Sequence, residues 1–203
     1  MTSHLTVRLR AGRTYCSGAL ISPDLAASPA TRTDLVLTCA HFLRGRTGPI
    51  HVSGAEVAGH LLGAVTIAAT DLAVGRLSAP SPPTNLLRVS TSRPPLRAHT
   101  ITAGYGGGAT RPGQRAGRII ARTPFALSRN LSTLVRPAAI VHNHPKAVRG
   151  DSGGPVIVDE EIVAVQSLIA RFLRLEPGLA TVSQVGPHHR ALTAAVTALQ
   201  QAY

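Results

Sequence analysis

Gly150-Asp151-Ser152-Gly153-Gly154-Pro155 crowds glycines around a single serine. A serine that attacks a carbonyl must sit on a sharp turn, with backbone N–H groups aimed at the developing oxyanion. Glycine permits that turn and lets a substrate approach the backbone closely. Ordinary loops share this composition, so the stretch needs company before it means chemistry. Two segments supply it. Leu37-Thr38-Cys39-Ala40-His41 ends an apolar run in a histidine, and Thr70-Asp71-Leu72-Ala73-Val74 opens another with an acid. A serine hydroxyl is a weak nucleophile that needs a base; the imidazole in turn needs a buried carboxylate to hold its tautomer and stabilise its cation. Base, acid and nucleophile thus run in the order His41, Asp71, Ser152. Asp34 is the rival acid, but it precedes the histidine on what reads as the same strand, and Asp71 could instead be a strand-end turn residue.

Serine hydrolases of unrelated fold are told apart by this order. The chain resembles the chymotrypsin/trypsin family of double β-barrel serine proteases, nearly end to end. Cys16-Ser17-Gly18-Ala19-Leu20-Ile21 is similar to the strand before the histidine, Leu37 to His41 to Leu-Thr-Ala-Ala-His, and Asp71-Leu72-Ala73-Val74 to Asp-Ile-Ala-Leu. Ile101 to Gly106 resembles the Gly-Trp-Gly turn with Tyr105 for tryptophan, and Pro177-Gly178-Leu179-Ala180-Thr181-Val182 resembles Pro-Gly-Val-Tyr-Thr. The resemblance implies an all-β, chymotrypsin-like fold of two six-stranded antiparallel β-barrels with a C-terminal α-helix. Residues 1–80 are expected to form the first barrel, 81–186 the second and 187–203 the closing helix.

By the same resemblance Ser152 attacks the scissile carbonyl, His41 takes and returns the proton, and Asp71 orients His41. Backbone N–H groups of Gly150 and Ser152 form the oxyanion hole. Asp151 accepts an ion pair that holds the oxyanion loop. No Ile-Val-Gly-Gly activation start is present, so an internal arginine or another device is expected, with Arg111, Arg115 and Arg149 as unranked candidates; Thr102 occupies the position next to the Gly-Trp-Gly-like turn where the resemblance would place such an arginine. Counting from Ser152 puts Lys146 at the pocket floor, Ser167-Leu168-Ile169 on the strand that pairs with substrate backbone, and Gly178 in a pocket wall. Lys146 favours acidic side chains by charge pairing unless it points to solvent, whereas Ile169 in place of glycine favours small ones. His142 and His144 lie nearby. Cys16 matches a family half-cystine, but Phe42 occupies its usual partner's place. A Cys16–Cys39 bridge needs other geometry, so the pairing stays open.

Composition fits one domain or two coupled subdomains. The 203 residues are 44% hydrophobic, enough for a substantial core, and the 15 prolines and 19 glycines suit short strands joined by turns. A formal charge of +12 invites a nucleic-acid reading. The excess is scattered arginine, with Lys146 the one lysine, and 3% aromatics leave few stacking platforms. No specific nucleic-acid partner is expected; the expected partner is a protein or peptide substrate, with an activating protein as the alternative. No stretch reaches membrane-spanning length. Met1 to Arg10 lacks an apolar signal core, which leans the expectation toward a cytoplasmic rather than a secreted chain. No zinc-site spacing appears among the nine histidines, so no metal or cofactor is expected.

Expected strands of the first barrel are Leu5 to Leu9, Gly18 to Ser22, Leu35 to Cys39, Ala55 to Ala58, Gly63 to Ala68 and Leu72 to Leu77. Those of the second are Arg97 to Ala103, Gly117 to Arg122, Ser132 to Val135, Pro155 to Val158, Ile162 to Ser167 and Leu179 to Val182. Ala79 to Thr84 reads as the connector. Leu192, Ala195, Val196 and Leu199 recur at helical spacing near the end, with His188-His189 as a capping or surface pair.

Overall fold

The computed structural model describes residues 4–169 and 178–203. Pro177, one residue of the resemblance above, lies outside them. The first barrel uses β1 (Thr6–Ala11), β2 (Thr14–Ile21), β4 (Leu35–Thr38), β5 (His51–Gly54), β6 (Val57–Thr66) and β7 (Ala73–Leu77), closed in the order β1-β2-β4-β7-β6-β5. β3 (Ser28–Thr31) lies outside it and pairs with β8 (Thr84–Leu86). The sequence dictates the contrast among these strands. Leu35-Val36-Leu37-Thr38 is buried throughout and reads as one apolar run, whereas β6 alternates strictly between more and less buried residues, as a strand with one solvated face must.

β9 (Arg88–Val89) leads into the second barrel, made of β10 (His99–Gly104), β11 (Gly113–Thr123), β14 (Ala138–His144), β15 (Pro155–Val158), β16 (Glu161–Ile169) and β17 (Leu179–Gln184). Its order is β10-β11-β14-β17-β16-β15, closed by pairing of β15 with β10. β12 (Ala126–Leu127) and β13 (Leu134–Val135) form a separate ribbon. A short helix α1 (Ala40–Leu43) carries His41, and α2 (His189–Ala202) closes the chain against β6 and β7.

Two expected strands shift. Ala55 to Ala58 straddles a hairpin turn: Ala55 and Glu56 adopt left-handed φ of 51° and 59°, joining β5 to β6. Ser132 to Val135 is not a barrel strand; its last two residues pair only with β12. The barrel position belongs to β14, which buries Ala139, Val141 and Asn143 while turning His142 and His144 outward. The exposed histidines supplied the polar half of a period-two pattern. Arg44, just past α1, donates to the Ser132 carbonyl at 2.7 Å and fastens the ribbon to the histidine's helix.

The closing helix buries Leu192, Ala195, Val196 and Leu199, the four residues at helical spacing. Its last turn has no basic residue of its own. Arg76 on β7 supplies the cation instead, donating to the Leu199 carbonyl at 2.9 Å while its Nε pairs with Asp34 at 2.8 Å. His188 precedes the helix without a side-chain cap; its ring meets the Arg136 carbonyl.

Candidate active site

Asp71 closes the loop before β7, His41 sits in α1 just after β4, and Ser152 lies in the turn before β15, so the first barrel supplies the imidazole and carboxylate and the second the hydroxyl. Asp71 is fully buried, and both its oxygens are used. Oδ1 accepts the backbone N–H of His41 at 2.7 Å, and Oδ2 contacts His41 Nδ1 at 2.7 Å and accepts the Ser167 hydroxyl. The rival Asp34 is committed to Arg76.

Burial alone would push His41 below the ordinary imidazole range; the Cys39 sulfur and the Asp71 carboxylate outweigh it, and the group is raised. Burial also pushes the Cys39 thiol well up, so at neutral pH that neighbour is a neutral thiol and Asp71 is the cause that persists.

Ser152 Oγ donates to the Ser167 carbonyl at 3.1 Å and shares one cleft with His41. Around it, successive carbonyls are spent inward: that of Arg149 on Gly107 N–H, of Gly150 on the Ser17 hydroxyl, of Asp151 on Gly154 N–H, and of Ser152 on Ser17 N–H. A trans peptide points its N–H opposite its carbonyl. The N–H groups of Gly150 and Ser152 therefore face away from these partners, and among the described residues neither is spent on a backbone carbonyl. Gly150 reaches this arrangement at φ 101°, and a Cβ there would collide with the Tyr15 ring.

Asp151 is 1% exposed, and Arg115 is its partner among the three candidate arginines. Arg115 Nε donates to Oδ2 at 2.7 Å, Val148 N–H to the same oxygen at 2.8 Å, and Gly106 N–H to Oδ1 at 2.9 Å. A Cβ at Gly106 would run into the carboxylate, so the glycine of the Tyr105-Gly106 turn is what lets Asp151 dock. Arg115 stands on β11 directly across from Thr102.

The described cleft lining includes Tyr15, Phe42, Arg149, Ser167, Leu168 and Ile169. Ser167 is buried, and Leu168 and Ile169 are half-buried on the strand edge. Lys146 is exposed, outside that described lining, and Gly178 accepts a bond from Asn143 N–H at 2.9 Å, three residues before the lysine. Tyr15 and Arg149 were missed as cleft residues. Tyr15 packs on Gly150, with the Arg8 guanidinium 4.2 Å from its ring centroid. Cys16 and Cys39 are both buried free thiols. Among the described residues no cluster of His, Cys, Asp or Glu is placed to hold a metal, and no helix is long and apolar enough to cross a membrane.

Two closed antiparallel barrels with a histidine, a buried aspartate and a glycine-flanked serine at one cleft define the chymotrypsin-like class of serine peptidases. Residues 16–165, most of the chain, match the trypsin-like peptidase domain, and the protein belongs to that family. No curated protein matches the sequence. Among solved structures, the active form of the Rv3671c protease from M. tuberculosis is similar at 20% identity and a TM-score of 0.74, over 96% of this chain and 82% of that one. Its inactive form is similar at 19% identity and a TM-score of 0.71, over 96% and 90%. A kallikrein-related peptidase 10 complex with Zn2+ is similar at 17% identity and a TM-score of 0.73, over 97% of both chains. At such identities the likeness speaks for the fold.

Proposed function

We propose that the chain is a serine endopeptidase acting through His41, Asp71 and Ser152 by way of an acyl-enzyme. The observation that carries this reading is the doubly bonded His41–Asp71 pair, facing a cleft that also holds Ser152 and two N–H groups that no described backbone carbonyl takes. Rotation about one side-chain torsion takes the Ser152 hydroxyl from the Ser167 carbonyl toward His41 Nε2. Oγ then attacks the substrate carbonyl as its proton passes to Nε2, and the N–H groups of Gly150 and Ser152 receive the oxyanion. His41 protonates the departing amine, and water repeats the sequence to release the acid. The substrate is a protein or peptide whose backbone lies along Ser167, Leu168 and Ile169.

An alternative is a latent domain that a partner switches on. The Asp151 contacts favour the self-sufficient form, because both carboxylate oxygens already have partners within the chain.

Charge sets the expected specificity. Arg149 lines the cleft, and Lys146 and Gly178 are the further proposed pocket residues. Arg149 in the lining, Lys146 as a second proposed cation, and no acid in the described lining favour an acidic substrate residue beside the cut. Digestion of an unfolded protein, with cut sites mapped by mass spectrometry, is expected to show cleavage next to Asp or Glu, none with Ser152→Ala, and loss of the bias in Lys146→Glu/Arg149→Glu. Cuts beside small residues that ignore the charge reversal would instead make Ile169 the selector.

A further inference from the structure

The cysteines do not sit at random in the barrel. Cys39 is the residue before α1, fully buried, with its Sγ 3.8 Å from His41 Nε2. His41 Nδ1 is committed to Asp71, so Nε2 is the nitrogen that must accept the Ser152 proton. When His41 has lost its proton, as it must to act as base, the neutral Cys39 thiol is a weak donor to that same lone pair. In the structure the Ser152 hydroxyl is elsewhere, on the Ser167 carbonyl.

Cys16 is the other half. The β2–β4 ladder pairs Gly18 with Thr38; carried one step further it sets Ser17 against Cys39, so Cys16 lies one residue off register from Cys39 on the neighbouring strand. Cys16 Sγ lies 3.6 Å from the Oγ1 of Thr38, the residue before Cys39, and after burial Cys16 is the neighbour that pushes the Cys39 thiol up. Cys16 is buried, but it belongs to the cleft lining with His41 and Ser152, the side from which a small oxidant would have to arrive.

We propose that Cys16 and Cys39 form a dithiol–disulfide modification site under His41, oxidised by a peroxide or an external disulfide, and that oxidation frees His41 Nε2 for Ser152. With hydrogen peroxide, one thiol sulfur gains an S–O bond as the O–O bond breaks and one water leaves. The second sulfur then displaces that oxygen as a second water, so two thiols and one peroxide become one disulfide and two waters. An external disulfide does the same by exchange and departs as two thiols. The bridged Cys39 has no proton to offer Nε2. The catalytic half of the proposal rests on the triad reading; the bridge itself does not.

The test treats the folded protein with diamide or with dithiothreitol and follows three quantities: titratable thiols after unfolding, intact mass, and the rate of Ser152 labelling by a fluorophosphonate. Diamide is expected to take the thiols from two to none, lower the mass by about 2 Da, and speed labelling about fivefold, the rate equivalent of one ordinary hydrogen bond. Dithiothreitol reverses all three. Cys39→Ala, which restores the alanine of the resembling motif, labels at the fast rate in either reagent, and Cys16→Ser stays slow in both. Two thiols surviving diamide overturn the proposal, as does a bridge that leaves labelling unchanged or slower. Failure of labelling in every state counts against the triad, while the thiol count and mass still decide the pair.

Discussion

Arg115→Met is expected to lower kcat/KM by about 10²- to 10³-fold, the cost of losing a well-placed oxyanion donor, although Arg115 is not among the described residues lining the cleft. Its side chain is 13% exposed, and the side chain of Asp151, whose carboxylate it neutralises, is 1% exposed. Removing one partner of a buried pair leaves an uncompensated charge, typically a destabilisation of about 3 kcal/mol. In a domain of this size that corresponds to a fall in Tm of roughly 10 °C. Asp151 retains the Gly106 and Val148 N–H groups, but these alone must then hold a carboxylate in a place water barely reaches. The turn it anchors carries Gly150 and Ser152, so the N–H groups lose their preset direction. Arg115→Met/Asp151→Asn removes the stranded charge and is expected to recover much of the lost stability but little activity. Thermal unfolding and peptide hydrolysis on the three variants check this. Wild-type activity in Arg115→Met would show that the oxyanion turn holds itself.

Asp71→Asn is expected to reduce kcat by about 10⁴-fold with the fold intact, because an amide at this position favours the wrong imidazole tautomer. The same variant tests the electrostatics. Wild-type His41 is raised, and it must lose its proton to act as base. The rising limb of kcat/KM against pH is therefore expected above the ordinary imidazole value of about 6.5, with activity still climbing past neutrality. Neutralising Asp71 removes the cause that persists at neutral pH, so the residual limb moves down. Stability follows the opposite sense. The folded state favours the imidazolium, so the pair's contribution is complete below the unfolded histidine's pKa and fades as pH rises through the raised value. A limb at or below 6.5 that does not respond to Asp71→Asn would contradict this account of the base.

Legibility in the sequence tracked how locally each feature is encoded. The glycines around Ser152, the apolar run into His41 and the acid before Leu72 are each written within a few residues, and the structure brings Ser152 and His41 to one cleft with Asp71 buried against the histidine. The closing helix was equally plain, since Leu192, Ala195, Val196 and Leu199 mark one face. Long-range partners were not. Arg111, Arg115 and Arg149 could not be ranked, because the choice depends on the register that sets Arg115 across from Thr102 beneath Asp151. β14 escaped notice because its outward residues are histidines and its inward ones include Ala139 and Asn143, a weak apolar signal. The Ala55-Glu56 turn lacks glycine, asparagine or aspartate, so nothing announced two left-handed residues there. Tyr15 is separated from Gly150 by most of the chain, and only the folded barrels bring the ring over that backbone.

The central claim is that Ser152 is a nucleophile assembled with His41 and an open oxyanion site. Incubation of the purified protein with a fluorophosphonate, followed by digestion and mass mapping, tests it most directly. A single adduct on Ser152, lost in His41→Ala and strongly slowed in Asp71→Asn, is the predicted result. Folded wild-type protein that takes up no adduct, or takes it up on another residue, would contradict it.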